Sequence, residues 1–247
     1  QMKYVMADIH GDYDKYIQML ELIQLKDEDE LYILGDVIDR GPCGMKILQD
    51  MMLRPNVIPI LGNHEYMASI ALAWLSQEVT EESVEEMDGD KLQGLMEWMN
   101  VGGEASIAEF QKLSREEQQD ILEYLEEFAL YDVVEAGGKE FVLVHAGLDH
   151  FSKDRDLEDY DLSELIFQKP DYEKVYFEDK YLVTGHTPTW TIYAQVRGIL
   201  LKEIEMNPKL RWDRIYTRCN HVAIDCGCGY GGRLGCVCLD TMERYYI

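Results

Sequence analysis

The chain has 247 residues, 47% of them hydrophobic, which excludes a wholly disordered protein and supplies a core that needs no disulfides. Its 48 acidic and 23 basic residues give a net charge of −25, so we expect neither nucleic acid nor an anionic membrane as a partner. Because no apolar run reaches the roughly 18 residues of a membrane span and no signal-like segment is found, the sequence predicts a cytoplasmic protein with reduced cysteines.

The first 65 residues alternate predicted strands and helices. Apolar runs at residues 4–7, 31–34 and 57–61 predict three strands, and apolar residues at helical spacing predict helices at 13–23 and 44–52. A strand–helix–strand–helix–strand order is typical of a parallel sheet with helices packed on it.

The next segment, from about residue 65 to residue 130, is acidic, rich in Met, Leu and Glu, and predicted to be helical. Strands are predicted again beyond it: a hairpin at 133–144 around Gly137-Gly138, a strand at 181–183, a second hairpin at 192–204 and a strand-rich segment at 222–239. Because no internal repeat or linker is found, we expect a single domain over 1–247 with a helical insertion at about 65–130.

Glycines and metal-competent side chains follow five of the predicted strands. The five segments are Asp8-Ile9-His10-Gly11, Gly35-Asp36-Val37-Ile38-Asp39-Arg40-Gly41, Gly62-Asn63-His64-Glu65, His145-Ala146-Gly147 and Gly185-His186-Thr187. The ligand crevice of an open α/β sheet lies beyond the carboxyl ends of its strands, so we expect these side chains to meet there. Any one of them alone could be a turn former, but five such segments in order favour a site. Carboxylate, amide and imidazole ligands suit Mn²⁺, Fe²⁺ or Zn²⁺, and six of them exceed the needs of one ion.

The order of these segments resembles the calcineurin-like metallophosphoesterases, and in particular the phosphoprotein phosphatase branch shared by Ser/Thr protein phosphatases and symmetrical diadenosine tetraphosphate hydrolases. Two further segments are similar to that branch: Trp98-Met99-Asn100-Val101-Gly102-Gly103 and the stretch from Ile224-Asp225-Cys226-Gly227 to Tyr230-Gly231-Gly232-Arg233-Leu234. The resemblance implies an α/β (α+β) fold of four layers, in which two mixed β-sheets form a sandwich flanked by helices. The parallel sheet expected above is then only its first half.

The resemblance also implies a centre of two divalent metal ions. Its ligands would be Asp8, His10, Asp36, Asn63, His145 and His186. Asp36 would bridge the ions, Asp8 and His10 would complete the first site, and the other three would form the second. Mn²⁺ is the first choice of metal, with Fe²⁺/Fe³⁺ or Zn²⁺ as alternatives.

The resemblance implies three catalytic residues: His64 as the general acid for the leaving oxygen, Asp39 as the carboxylate that orients His64, and Arg40. Arg40 and Asn63 would bind the substrate phosphate, and the planar guanidinium of Arg40 suits it. The alternatives are an ordinary structural pair for Asp39 and His64, and a salt bridge to the acidic surface for Arg40. The family usually supplies a second phosphate-binding Arg, for which Lys169 is the nearest stand-in here.

Three functions follow from this resemblance. The leading one is a Ser/Thr protein phosphatase that hydrolyses phosphomonoesters by in-line attack of a metal-bridging hydroxide, and the acidic surface favours a basic peptide. The alternative is a symmetrical dinucleoside polyphosphate hydrolase or another small-phosphoester hydrolase. The third is an inactive binding module, which we would expect to lack a ligand or His64, whereas the sequence keeps them all. The expected partner is therefore a phosphoprotein or a small phosphoester, and a monomer is favoured.

Four cysteines near the C-terminus allow two interpretations. Cys226, Cys228, Cys236 and Cys238 could form a four-thiolate zinc site across a hairpin, although their spacing lacks the two intervening residues that structural zinc sites favour. The other interpretation is that they are small residues of the core, since positions i and i+2 of a strand share one face.

Overall fold

The computed structural model describes residues 1–77 and 89–247, so residues 78–88 of the predicted helical insertion lie outside the described residues. The first half begins with alternating strands and helices: β1 (Lys3–Met6), α1 (Tyr13–Ile23), β2 (Glu30–Ile33), α2 (Gly44–Met52) and β3 (Val57–Pro59). β1 and β2 run parallel to each other, as do β2 and β3. The parallel sheet predicted from the first 65 residues is therefore confirmed.

A helical region follows β3. Its described elements are α3 (Asn63–Leu75), α4 (Gly89–Trp98), a π-helical turn (Met99–Gly103), α5 (Glu104–Phe110) and α6 (Arg115–Glu126). Gly102 interrupts the helical backbone with a φ of 115°, so the chain kinks between α4 and α5. Ser114 caps α6, because its hydroxyl accepts the Glu117 backbone N–H.

The second half contains β4 (Tyr131–Ala136), β5 (Lys139–Val144), α7 (Leu162–Ile166), β6 (Tyr181–Thr184), α8 (Thr189–Arg197), α9 (Leu201–Met206), β7 (Tyr216–Arg218), β8 (His221–Ala223), β9 (Gly235–Cys238) and β10 (Arg244–Tyr246). Short 3₁₀ turns lie at Leu157–Asp159, Pro208–Leu210 and Cys228–Tyr230. β4 and β5 form the predicted hairpin, which turns at the left-handed glycines Gly137 and Gly138.

The strands form two mixed sheets. One sheet has the order β10-β9-β1-β2-β3, and the other has the order β4-β5-β6-β8-β7. Alternate residues of each strand point to opposite faces, so Val5 packs between the sheets while its neighbours Tyr4 and Met6 pack under the helices. Phe141 and Leu143 of β5 meet Val5 in the core between the two sheets. The result is the predicted sandwich of two mixed sheets flanked by helices.

The prediction of a hairpin at 192–204 is wrong, because this segment forms helices α8 and α9. The β-branched and aromatic residues of the segment favour a strand by propensity alone. Tertiary packing overrides that preference, since Ile192 is buried against Tyr172 and Ala223 on the outer side of the second sheet. Pro188 and Gly198 stand at the two ends of α8 and are the local signals of a helix that begins and stops there.

None of the described helices is long and apolar enough to cross a membrane.

Candidate metal centre and catalytic site

Most of the predicted site residues lie in the loops at the carboxyl ends of β1, β2, β5 and β6, whereas Asn63 and His64 begin α3 shortly after β3. Six of them have a left-handed backbone, which is uncommon outside glycine: Asp8, His10, Asp36, Asp39, Arg40 and His186. Such conformations cost free energy and persist only where the surrounding structure enforces them, as it does at functional sites. The close approach of the loops also needs glycine, since a Cβ on Gly62 would lie 2.4 Å from Asp36 Oδ1.

Asp36 lies at the centre of two clusters of metal-competent atoms. The first cluster is His10, Asp36 and His64, and the second is Asp36, His145 and His186, with all ligand atoms of a cluster within 4.8 Å of one another. Asp36 Oδ2 is 3.8 Å from Nε2 of both His10 and His64. Asp36 Oδ1 is 3.3 Å from His145 Nε2. The shared carboxylate therefore faces two separate groups of imidazoles.

Asn63 joins the second cluster, whereas Asp8 contacts that cluster through the backbone of His186. The Asn63 Oδ1 atom lies 2.9 Å from His145 Nε2 and 3.0 Å from His186 Nδ1. The carboxylate of Asp8 accepts the backbone N–H of His186, with distances of 3.1 and 2.9 Å to its two oxygens. Asp8 is 1% exposed, so its carboxylate is enclosed beside the clusters. Five of the six predicted ligands thus meet around Asp36, and Asp8 contacts them through the His186 backbone.

Hydrogen bonds to backbone carbonyls orient two of the imidazoles. His10 Nδ1 lies 2.9 Å from the Ile38 carbonyl oxygen, and His145 Nδ1 lies 2.6 Å from that of Leu34. Burial lowers the pKa of His10 to about 3 and also lowers that of His145, so both rings are neutral. Each ring then carries its proton on Nδ1 and directs the Nε2 lone pair at the oxygens of Asp36. Acceptors that face one another in this way fit a bound cation.

The buried negative charge of the site also indicates that it binds cations. Burial by itself would raise the pKa of Asp36, but charge interactions with the surrounding histidines, among them His64 with its raised pKa, lower it, so this carboxyl is ionised. Burial raises the pKa of Asp225 to about 7 and raises that of Asp8 as well, and the charge of Asp36 adds to both increases. Removing three carboxylates from water is unfavourable unless cations compensate them. The donor set and its charge therefore fit divalent metal ions.

Within the first cluster, His64 is paired with Asp39. His64 Nδ1 lies 2.5 Å from Asp39 Oδ2, and Asp39 is fully buried. Burial would lower the pKa of His64, but the carboxylates of Asp36 and Asp39 outweigh burial and raise it. Two residues of the helical region hold Asp39: Trp98 donates its indole N–H across 2.6 Å, and the Ser106 hydroxyl donates to the other carboxylate oxygen. The sequence predicts neither contact, although Trp98 belongs to one of the segments on which the family resemblance rests.

Arg40 lies at the open side of the same cluster. Its Nη2 atom is 3.5 Å from His64 Nε2, and its guanidinium lies 4.3 Å from the centre of the Tyr230 ring. Its backbone N–H donates to the carbonyl of Gly102, where a Cβ would lie 2.6 Å from Arg40 Cγ. Within the described part of the chain no carboxylate forms an ion pair with Arg40. This side chain is therefore not engaged by the acidic surface.

A comparison with known families agrees with this geometry. The model of the calcineurin-like phosphoesterases matches residues 4–216. The chain belongs to this family. The predicted family and its fold are thereby confirmed.

Two curated relatives of the chain carry the same name. The symmetrical bis(5'-nucleosyl)-tetraphosphatase of Wigglesworthia glossinidia brevipalpis is 33% identical over 99 residues, 39% of this chain and 36% of the relative. The protein of the same name from Acidovorax sp. (strain JS42) is 29% identical over 147 residues, 59% of this chain and 43% of the relative. The chain thus matches less than half of the length of these curated relatives.

A solved structure extends the likeness over the whole chain. The crystal structure of a candidate diadenosine tetraphosphatase covers 99% of this chain and 92% of its own, with a TM-score of 0.61. The two sequences are 17% identical, so this likeness concerns the fold alone.

Glu65 has a structural role that sequence reasoning missed. Its buried carboxylate accepts the backbone N–H groups of Asp36 and Val37, each at 2.7 Å, and that of Gly62 at 3.2 Å. Burial raises the pKa of Glu65 to about 7, and the charge of Asp36 adds to this increase. The position of Glu65 directly after His64 in the third segment was the available signal. Glu65 ties the loop after β2, which carries Asp36, to the start of α3.

The remaining predicted site residue is Lys169. Its exposed side chain lines a cavity of about 140 Å³ together with Tyr172 and Thr187. Thr187 directly follows His186, and Tyr172 is buried. The structure thus places Lys169 on the wall of a cavity that also includes the residue next to His186.

The four C-terminal cysteines are buried in two different cores. Cys228, Cys236 and Cys238 pack between the first sheet and its helices, whereas Cys226 packs between the two sheets. Burial raises the pKa of Cys226, Cys228 and Cys236, which keeps their sulfurs as thiols rather than metal-binding thiolates. Their placement supports the interpretation as core residues.

Proposed function

We propose that this chain is a di-metal hydrolase of small phosphorylated molecules, of the type that splits dinucleoside polyphosphates symmetrically. The observation that carries the reaction class is Asp36, a buried ionised carboxylate shared by two imidazole clusters. The substrate class is supported by the name of the curated relatives, which are symmetrical bis(5'-nucleosyl)-tetraphosphatases. This is the alternative of the sequence analysis, and the relatives favour it over the protein phosphatase.

Two divalent cations, when bound, supply a water molecule activated for attack and withdraw negative charge from the phosphoryl oxygens. In our proposal Asp36 would hold both ions, Asp8 and His10 would hold the first, and Asn63, His145 and His186 would hold the second. Asp8 also accepts the backbone N–H of His186 and so fixes the position of that residue. Mn²⁺ is the first metal to test, because carboxylate, amide and imidazole form its ligand set.

His64 is the group that we propose to protonate the leaving oxygen. Asp39 holds the Nδ1 side of its ring, so Nε2 is directed at the open side of the first cluster, where Arg40 also lies. The carboxylates of Asp36 and Asp39 raise the pKa of His64 and so favour the protonated ring, which a general acid requires. Asp39 thus orients the imidazole of His64 and helps to raise its pKa.

Arg40 and Asn63 are the proposed contacts to the phosphate under attack. Arg40 has no competing carboxylate partner among the described residues, so its planar donors are available to two phosphoryl oxygens. The amide of Asn63 lies between His145 and His186, at the opposite side of the centre. The two groups would hold the phosphoryl oxygens while the bond to the leaving oxygen breaks.

The net charge of −25 is the observation that favours a basic phosphopeptide as substrate. A direct comparison separates the two substrate classes: hydrolysis of diadenosine tetraphosphate and of phosphothreonine peptides by the Mn²⁺-loaded protein, with metal-stripped protein and Asp36→Asn as controls. We expect faster cleavage of the nucleotide, with two molecules of ADP as the products. Faster hydrolysis of the peptides would instead identify a protein phosphatase. Absence of metal-dependent turnover on both would support a different phosphoester or the inactive binding module.

A further inference from the structure

A groove leads away from the candidate metal centre between the starts of α1 and α2. Its wall includes His10, Tyr13, Asp14, Arg40 and Lys46, and its volume is about 410 Å³. We call it the α1–α2 groove. Ligand pockets for molecules of nucleotide size have volumes of roughly 300–1,000 Å³, so the space suffices for a nucleoside diphosphate.

The groove begins at the side of the centre where the leaving group departs. Arg40 lines the groove and lies 3.5 Å from His64 Nε2, the atom proposed to protonate the leaving oxygen. His10, a member of the first cluster, lines the same wall. A leaving group released beside His64 therefore has this groove directly in front of it.

The charges of the groove differ from those of the rest of the chain. Arg40 and Lys46 both lack a carboxylate ion-pair partner within the described ranges, although acidic residues outnumber basic ones by 48 to 23. Lys46 Nζ instead lies 3.8 Å from the centre of the Tyr13 ring. A cation–π contact of this kind at an exposed site is weak enough to leave the ammonium available to an anion.

Two carboxylates also line the groove, and they are not equivalent. Asp12 is compensated, because it caps α1 and forms an ion pair of 3.2 Å with Lys15. Asp14 is exposed and has no ion-pair partner in the described part of the chain. The uncompensated groups of the groove are thus two cations and one carboxylate, which favours an anionic occupant.

We propose that the α1–α2 groove binds the leaving group and that Lys46 contacts a phosphate on it. The groove then makes the enzyme selective for leaving groups that carry their own phosphate, such as a nucleoside diphosphate, over uncharged alcohols and phenols. This inference rests on the proposed function for the reaction, and adds to it the residue that selects the substrate. Asp14 opposes the same anion and weakens its binding.

The first test compares two substrates that differ in the leaving group. Diadenosine tetraphosphate releases a nucleoside diphosphate, whereas p-nitrophenyl phosphate releases a phenol without phosphate. In Lys46→Ala we expect the ratio of the two kcat/KM values, nucleotide over phenyl ester, to fall about tenfold, the loss typical of one hydrogen bond to a charged group. Asp14→Asn should raise the ratio about threefold, and Lys26→Ala, an exposed lysine beyond the far end of α1, should leave it unchanged.

The second test does not require that the dinucleotide be a substrate. ADP is measured as an inhibitor of p-nitrophenyl phosphate hydrolysis, with inorganic phosphate as the reference anion for the metal centre. We expect Lys46→Ala to raise the inhibition constant of ADP about tenfold and to leave that of phosphate within twofold. Equal inhibition constants of ADP for wild type and Lys46→Ala, or no inhibition of the wild type, would overturn the groove assignment. Failure of the proposed function has a different signature. The wild-type protein would then not cleave the dinucleotide, but ADP would still inhibit its hydrolysis of p-nitrophenyl phosphate, and Lys46→Ala would weaken that inhibition.

Discussion

The indole N–H of Trp98 donates to Asp39 Oδ2 across 2.6 Å, and the same oxygen lies 2.5 Å from Nδ1 of His64. A residue of the helical region thereby reaches the proposed general acid through one buried carboxylate. Trp98 is itself fully buried, and Gly103 packs so tightly on its ring that a Cβ there would lie 2.6 Å from it. The geometry of the catalytic pair thus depends on how this helical region packs.

Replacement of Trp98 by Phe should lower kcat about tenfold while the bound metal is retained. Without the indole donor, Asp39 becomes a stronger acceptor for His64 and is held less firmly, so the alkaline limb of the pH–kcat profile should move to higher pH. Steady-state kinetics over pH 5–10 provide the measurement. Trp74→Phe is the matched control, because the indole N–H of Trp74 is buried without a hydrogen-bond partner among the described residues. An unchanged profile in Trp98→Phe would limit Trp98 to a packing role.

Two substitutions separate catalysis from metal binding. His64→Asn should lower kcat by a factor of about 10²–10⁴, the range typical of general acid–base catalysis, with both metal ions retained. Asp36→Asn should lose metal, because the shared carboxylate is the centre of both clusters. Metal content is measured by plasma mass spectrometry alongside activity. Two fully active variants would refute the assignment of the site.

The role of Lys169 is tested by changing its head group and then removing it. If Lys169 is the second phosphate contact, Lys169→Arg should preserve or raise kcat/KM, since a guanidinium can donate two parallel hydrogen bonds to phosphate. Lys169→Ala should lower kcat/KM about tenfold. The exposed Lys112, which belongs to the helical region, gives a matched Ala control. Equal kinetics for Lys169→Ala and the control would remove Lys169 from the site.

His221 predicts a pH dependence of stability. It is buried beside Thr184 and stacks on Tyr172, and burial lowers its pKa to about 3. Between about pH 6.5 and 3 the unfolded chain therefore binds a proton at this position that the folded chain does not bind, so acidification destabilises the fold. The free energy of unfolding of wild type minus that of His221→Gln should fall as the pH falls below about 6.5, by up to about 1.4 kcal/mol per pH unit. Urea unfolding in the presence of a chelator, from pH 7.5 to pH 4.5, measures this difference. A constant difference would contradict the prediction.

Much of the fold could be predicted because its signals are local. The strand–helix alternation of the first 65 residues and the glycine turn of the β4–β5 hairpin use short-range patterns, and both agree with the structure. Helix α8 was not predicted, since its residues favour a strand by propensity; its local signals lie only at its ends, at Pro188 and Gly198, and the contact of Ile192 with the second sheet stabilises the helix between them. Local propensity is a small free energy, and burial against a sheet exceeds it.

The sequence by itself determined the family and the identity of the metal-competent side chains. These properties reside in short glycine-flanked segments, in which residue type alone specifies the available donors. The tertiary structure decided which groups touch: Asp8 meets the backbone of His186, and Asp39 meets Trp98 and Ser106. These contacts join residues separated by 59 to 178 positions, and they exist only because the two sheets and the helical region pack around one centre. No local pattern encodes such distances, so only the packed chain shows how its donors are arranged.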